Sequence, residues 1–202
     1  MKAFTRLTAT AMPIDTLNMD TDQLIPARFI RKPLDDNYHR YLFSDLRFNQ
    51  DGSERPDFIY NQDPYRKSRI IVANRNFGCG SSREAAVFAL VACDFYAVVA
   101  PSFGDIFFNN CFQNGVLPVR LDEETVARLR AQLRDQPGAA VTVDLESQEV
   151  TGPDGRCYPF EVDRFRRHCL LNGLDDILLT VGHETEIAAF EDSYRREMSW
   201  LY

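Results

Sequence analysis

The chain of 202 residues has no CxxC pair, one tryptophan, three histidines and fewer basic than acidic residues. It also has no run of ~18 apolar residues, which excludes an ordinary membrane-spanning helix. Its five cysteines, at positions 79, 93, 111, 157 and 169, are odd in number and scattered. That spacing writes neither a zinc nor an iron–sulfur site, argues against a secreted disulfide framework, and fits a reducing cytosol. The first residues, MKAFTRLTATAMPIDTLN, carry Lys2 and Arg6 but no apolar core of a signal peptide, so a cytoplasmic address is expected. With 23 basic and 30 acidic residues the formal charge is −7, against the basic excess of a general nucleic-acid binder. An acidic protein with an anionic ligand must supply positive charge locally.

What is present is ordinary globular material: 45% hydrophobic and 26% charged residues, with no repeat and no Gly/Ser linker. The length predicts a single domain over 1–202, long enough to bury a core without disulfides or metals. Asp20 to Asp63 is rich in Asp, Asn, Arg and Pro and reads as long loops with short helical turns. Loops of such length are usually functional or mobile, and the loop region at about 27–63 is expected to be mobile. From Arg69 the texture changes. Ile70–Ala73, Tyr96–Ala100 and Val116–Leu121 read as buried strands. Ser81–Cys93, Asp105–Asn114 and a segment capped by Asp122 read as helices, the last burying Val126, Leu129 and Leu133. This alternation predicts an α/β fold with parallel pairing. Ala140–Leu145 and Gln148–Val150 follow as hairpin strands, with a turn at Asp154-Gly155. C-terminal helices are expected from about 163, over 163–171 and 184–196.

The chemically distinctive segment is Asn76-Phe77-Gly78-Cys79-Gly80-Ser81-Ser82-Arg83-Glu84, between a predicted strand and a predicted helix. Gly78 and Gly80 permit positive φ and close approach to a ligand. Ser81 or Ser82 can cap the helix, and Arg83 offers a permanently charged fork for a carboxylate or phosphate. The spacing is neither a Walker loop nor a dinucleotide fingerprint. A plain glycine turn with a serine cap and a surface arginine fits the same residues. Asp20 and Asp22, two apart, suit either a hard cation or loop and cap roles, and the calcium-loop pattern is absent. Cys79 reads as a small buried thiol rather than a nucleophile, since His39, His168 and His183 lie in no motif that supplies a base. Phe107, Phe108 and Phe165 read as packing residues.

Four segments occur in one order: DTDQLIP (20–26), NFGCGSSRE (76–84), APSFGDIFFNN (100–110) and FRRHCLLNGLDDI (165–177). Together they resemble the small subunits of bacterial 3-isopropylmalate dehydratases, in the aconitase superfamily, nearly end to end. The resemblance implies a swivelling β/β/α domain, as in the mobile domain of aconitase. It implies a large partner subunit bearing a [4Fe-4S] cluster, with no metal on this chain. It further implies hydro-lyase activity in leucine biosynthesis only with that partner, the substrate being a small dicarboxylate. Ser81 would be the catalytic base, with Arg83 on a substrate carboxylate and Ser82, Gly80 and Asp22 lining the site. Two departures concern the substrate. Ala85 stands where the family commonly has His, and Arg31 to Tyr38 replaces an RTGFG-like stretch. Arg31, Leu34 and Tyr38, with Leu42, are therefore the expected specificity residues, and another alkyl-substituted malate is an alternative substrate. A stand-alone anion-binding module is the alternative of a different class.

Overall fold

The structure is a computed structural model that describes residues 1–80 and 83–201. Ser81 and Ser82, the expected base and its neighbour, lie outside the described residues, as does Tyr202. Among the described residues, seven strands form one sheet in the order β4-β3-β2-β1-β5-β6-β7. Strands β1 (Arg6–Ile14), β2 (Ile70–Ala73), β3 (Ala97–Ala100) and β4 (Leu117–Arg120) pair in parallel. Strands β5 (Ala140–Asp144), β6 (Glu149–Thr151) and β7 (Cys157–Pro159) extend the sheet antiparallel from β1.

The sequence reading places no strand before residue 70, yet β1 joins the two halves of the sheet. A proline inside a central strand normally argues against one. Here alternation resolves the conflict. The carbonyls of Thr10 and Ile14 accept from Arg69 and Asn74 N–H at 3.1 and 3.0 Å, so even-numbered residues face β2. Odd-numbered residues face β5, as Ala11 N–H does in reaching the Ala139 carbonyl at 3.2 Å. The β5 pairing ends at Thr10 with Ala140, so Pro13 directs its missing donor past the end of that strand.

Helices cover both faces, which is why the parallel strands are apolar runs rather than alternating ones. On one face Met12, Ile71, Ala73 and Val98 pack against α3 (Ala85–Ala92), Phe107 of α4 (Asp105–Gln113), and apolar residues of the first loop. On the other, Ile70, Val72, Ala97 and Val99 pack against Val126, Leu129 and Leu133 of α5 (Glu123–Asp135). Asp122 caps α5 as expected, accepting from Thr125 N–H at 2.8 Å. The long first loop holds α1 (Thr21–Leu24), α2 (Ser44–Arg47) and short 3-10 turns, among them Tyr38–Tyr41. After the sheet come α6 (Arg164–Asn172), α7 (Asp176–Val181), absent from the sequence reading, and α8 (Glu184–Glu197).

Three expectations are corrected. Helix α3 begins at Ala85 with Glu84 in the cap position, four residues later than read, because the apolar run itself starts there. Leu42 is fully buried: Phe43 N–H bonds to the Leu24 carbonyl at 2.8 Å and draws the pair into the core beneath α1, so Leu42 faces no ligand. Phe165 is 62% exposed at the start of α6 rather than packed.

Candidate active site

The parallel strands β1, β2 and β3 end at one edge of the sheet, and the loops that leave them are stitched together. Asn18 N–H donates to Arg75 O at 3.1 Å, Gly78 N–H to Met19 O at 2.7 Å, and Thr21 N–H to Cys79 O at 2.9 Å. The third loop joins through Phe77 N–H to Ser102 O at 3.1 Å and Gly104 N–H to Phe77 O at 2.9 Å. Asn18 and Asn76 both adopt positive φ, and the Asn76 amide donates to Asn18 Oδ1 at 2.9 Å. The crevice beyond the carboxyl ends of parallel strands is where open α/β sheets bind ligands.

Close approach demands two of the glycines. Gly78 has φ +69°, and a Cβ there would collide with the Phe107 ring. A Cβ on Gly104 would meet the Gly78 carbonyl oxygen at 2.5 Å. Gly80, with φ +88°, packs beside the Asp20 side chain.

The two aspartates take different roles. Asp20 caps α1 in a reciprocal box: its Oδ1 accepts from Gln23 N–H at 2.8 Å, and its own N–H donates to Gln23 Oε1 at 3.0 Å. Asp22 forms an ion pair with Arg83 and also accepts from Ala27 N–H at 3.2 Å. The Arg83 hydrogen bond, ahead of its charge and the Ala27 N–H, outweighs partial burial and holds the Asp22 carboxyl below its ordinary value. Arg83 is the better shielded partner, its side chain 15% exposed against 54% for Asp22.

Arg83 opens onto a groove of 480 Å³ lined by Ile30, Lys32, Leu34, Tyr38, Ala85 and Phe88, with Glu84 at its side. Leu34 and Tyr38 thus stand with Arg83 as the sequence suggests. Leu34 is 64% exposed, whereas Tyr38 is 2% exposed and packs edge-on against Tyr41. Arg31 is exposed and is not among the lining residues; its neighbour Lys32 is. Of the other first-loop arginines, Arg28 pairs with Asp45 through two hydrogen bonds, one of 2.9 Å. Ile30, Lys32 and Phe88 were not legible beforehand, since α3 and the first loop meet only in the folded chain.

Cys79 donates its thiol to the Asn18 carbonyl at 3.3 Å, and burial together with the Asp20 charge pushes its pKa up. The raised pKa and the carbonyl partner fit a packing thiol rather than a nucleophile, and the side chain is half-buried rather than buried. The other cysteines do not converge: Cys93 donates to the His39 carbonyl, Cys111 and Cys169 are buried on different helices, and Cys157 is exposed. No group of His, Cys, Asp or Glu able to hold a metal ion exists among the described residues. These thiols do not fit an iron–sulfur cluster. No helix among the described residues is long and apolar enough to cross a membrane.

A family model described as the aconitase C-terminal domain matches residues 1–124, and one described as LeuD_N matches residues 127–164. A solved structure of 3-isopropylmalate dehydratase from Methanocaldococcus jannaschii superposes with a TM-score of 0.64 at 23% identity, covering 91% of this chain and 98% of that one. The sheet and its covering helices are those of an aconitase-type swivelling domain. Among curated relatives, the 3-isopropylmalate dehydratase small subunit of Paramagnetospirillum magneticum is 50% identical over 201 residues, 100% of both chains. That of Rhodospirillum centenum is 50% identical over 200 residues, 99% of this chain and 98% of its own. The chain belongs to the family of 3-isopropylmalate dehydratase small subunits.

Proposed function

We propose that this chain acts as the small subunit of a cytoplasmic 3-isopropylmalate dehydratase, presenting the Arg83 groove to a large subunit that carries a [4Fe-4S] cluster. The hydro-lyase isomerises 2-isopropylmalate to 3-isopropylmalate through isopropylmaleate, in leucine biosynthesis. The observation that carries the reading is the pairing of full-length identity to small subunits with a half-built site. Arg83, anchored by Asp22, faces an open groove, and the described residues hold no ligand set for the Lewis acid that expulsion of hydroxide requires.

Within this reading each residue has a task. Arg83 takes a substrate carboxylate in its fork, and Asp22 fixes the guanidinium so that little rotamer entropy is lost on binding. Ser81 takes the proton from the carbon beside that carboxylate. Negative charge then spreads onto the carboxylate, where Arg83 stabilises it. A serine hydroxyl ionises only far above neutrality, and the charge of Arg83 two residues on favours its anion only in part. The rest must come from closing the groove against the partner and excluding water. Leu34, Ile30 and Phe88 supply apolar surface for an alkyl group, with Lys32 at the rim. Ala85 leaves room in the groove wall where the family commonly has His, and a different alkyl-substituted malate is the second reading.

The test is to express the chain with and without the large subunit of its own genome. Co-purification and turnover of 2-isopropylmalate only by the pair are expected. Steady turnover by this chain alone would contradict the reading, and preference of the pair for methyl- or dimethylmalate would move it to the second.

A further inference from the structure

Four cationic side chains of this acidic protein gather in one small pocket away from the Arg83 groove. It has a volume of 220 Å³ and is lined by Arg47, Arg66, Lys67 and Arg69, with His39 and Cys93 in its wall. Its charges are unequally matched. Arg66 pairs with Glu54 and lies 3.7 Å from Asp63, and Arg69 pairs with Asp94. Arg47 and Lys67 have no carboxylate at ion-pair distance among the described residues.

Arg47 is held as a preformed cation. Its Nη1 donates to the carbonyls of His39 and Leu42 at 3.2 and 3.3 Å, and its Nε to Asn61 Oδ1 at 3.4 Å. The guanidinium carbon sits 4.8 Å from the ring centroids of both Phe48 and Tyr60. Nη2 makes no hydrogen bond among the described residues. The Cys93 and Tyr60 side chains do not balance the charge, since burial pushes the Cys93 thiol up to about 11 and raises the Tyr60 hydroxyl as well, and the lining carboxylate of Asp94 is taken by Arg69. Burial opposes the Arg47 charge and Glu54 offsets this only from beyond ion-pair distance, so an anion that reaches the unbonded Nη2 stabilises the guanidinium.

We propose that this pocket is a second anion site, for a small oxyanion bearing a phosphate or carboxylate group, with Arg47 and Lys67 as its principal ligands. It lies behind the substrate groove. Tyr38 lines the groove and His39 the pocket; on α3, Phe88 lines the groove and Ala92 the pocket. An anion bound here braces the 3-10 turn and the helix that form one side of the groove. The binding claim is independent of the proposed reaction.

The test is thermal unfolding of the full chain titrated with inorganic phosphate or with malonate, each against chloride at equal ionic strength. A bound anion raises Tm saturably as its concentration passes Kd. The parent is expected to show that rise. Lys67→Glu, at an exposed position, is expected to weaken the apparent affinity at least about tenfold by placing like charge beside the anion. Arg83→Gln is expected to leave it unchanged. The preferred anion identifies phosphate or carboxylate as the native chemistry. No rise above chloride in the parent overturns the proposal. So does a rise that survives Lys67→Glu, or one abolished by Arg83→Gln, which would place the anion in the groove.

Discussion

Arg83 and Leu34 face the same groove from supports of different kinds. Arg83 follows a loop stitched to two others by backbone hydrogen bonds, and its guanidinium is tied to Asp22 across the groove edge. Leu34 sits in a stretch whose hydrogen bonds stay local: Lys32 N–H to Phe29 O at 3.0 Å, Asn37 N–H to Asp35 Oδ1 at 2.9 Å, and Tyr38 N–H to Asp35 O at 2.9 Å. Only at Tyr38 does that stretch sink into the core. The contrast separates two demands on one site. A group that meets charge in a transition state must be held in place before the reaction, while a wall that reads an alkyl group tolerates looser support.

The comparison is broken most severely at the stitched loop. Gly78→Ala places a methyl group against the Phe107 ring at a positive φ. Overpacking costs about 1–3 kcal/mol and the left-handed backbone a further ~1–2, so a loss of roughly 2–5 kcal/mol is expected in urea unfolding. Leu34→Ala, on the looser wall, should stay within ~0.5 kcal/mol of the parent in the same experiment. Next comes Arg83→Lys. It keeps the charge but loses the fork, so kcat/KM of the reconstituted enzyme should fall about 10–100-fold, in line with ~1.5–3 kcal/mol for a charged hydrogen bond. Third, replacing residues 31–40 by an RTGFG-type segment should shift relative kcat/KM among isopropyl-, methyl- and dimethylmalate by about tenfold, while stability holds. Identical selectivity profiles would show that this wall does not read the alkyl group.

The smallest effect is the ion pair itself. Asp22 is more than half exposed, so its pairing with Arg83 contributes less than ~1 kcal/mol to folding. Its carboxyl is held below the ordinary value, so that increment is fully present above about pH 4 and is lost as pH falls through the lowered value. Asp22→Asn has no such increment. The stability difference between parent and variant should therefore close on acidification, as chemical denaturation at pH 7 and pH 3 would show.

What the sequence revealed followed from physics that acts over short spans. The runs at 70–73 and 97–100 are buried on both faces, so their continuous apolar character announced them. Helix α5 carried both its cap and its period, Asp122 followed by Val126, Leu129 and Leu133. Strand β1 was hidden because its first residues are exposed or half-buried and Pro13 contradicts a central strand until the end of β5 is known. The resemblance placed Asp22 and Arg83 in one site, but 61 residues separate them, and their pairing emerges only when the loops after β1 and β2 meet. That Lys32 and not Arg31 lines the groove, and that Leu42 enters the core, turn on irregular backbone after the short 3-10 turns, which carries no sequence period.

The most direct test of the account is steady-state kinetics of Ser81→Ala in the enzyme reconstituted with its large subunit, on 2-isopropylmalate. General base catalysis is worth ~10²–10⁴-fold, so kcat should fall by at least about a hundredfold while KM, set by Arg83 and the groove, changes little. A near-parental kcat would contradict the account and move the proton transfer to Ser82 or to the partner.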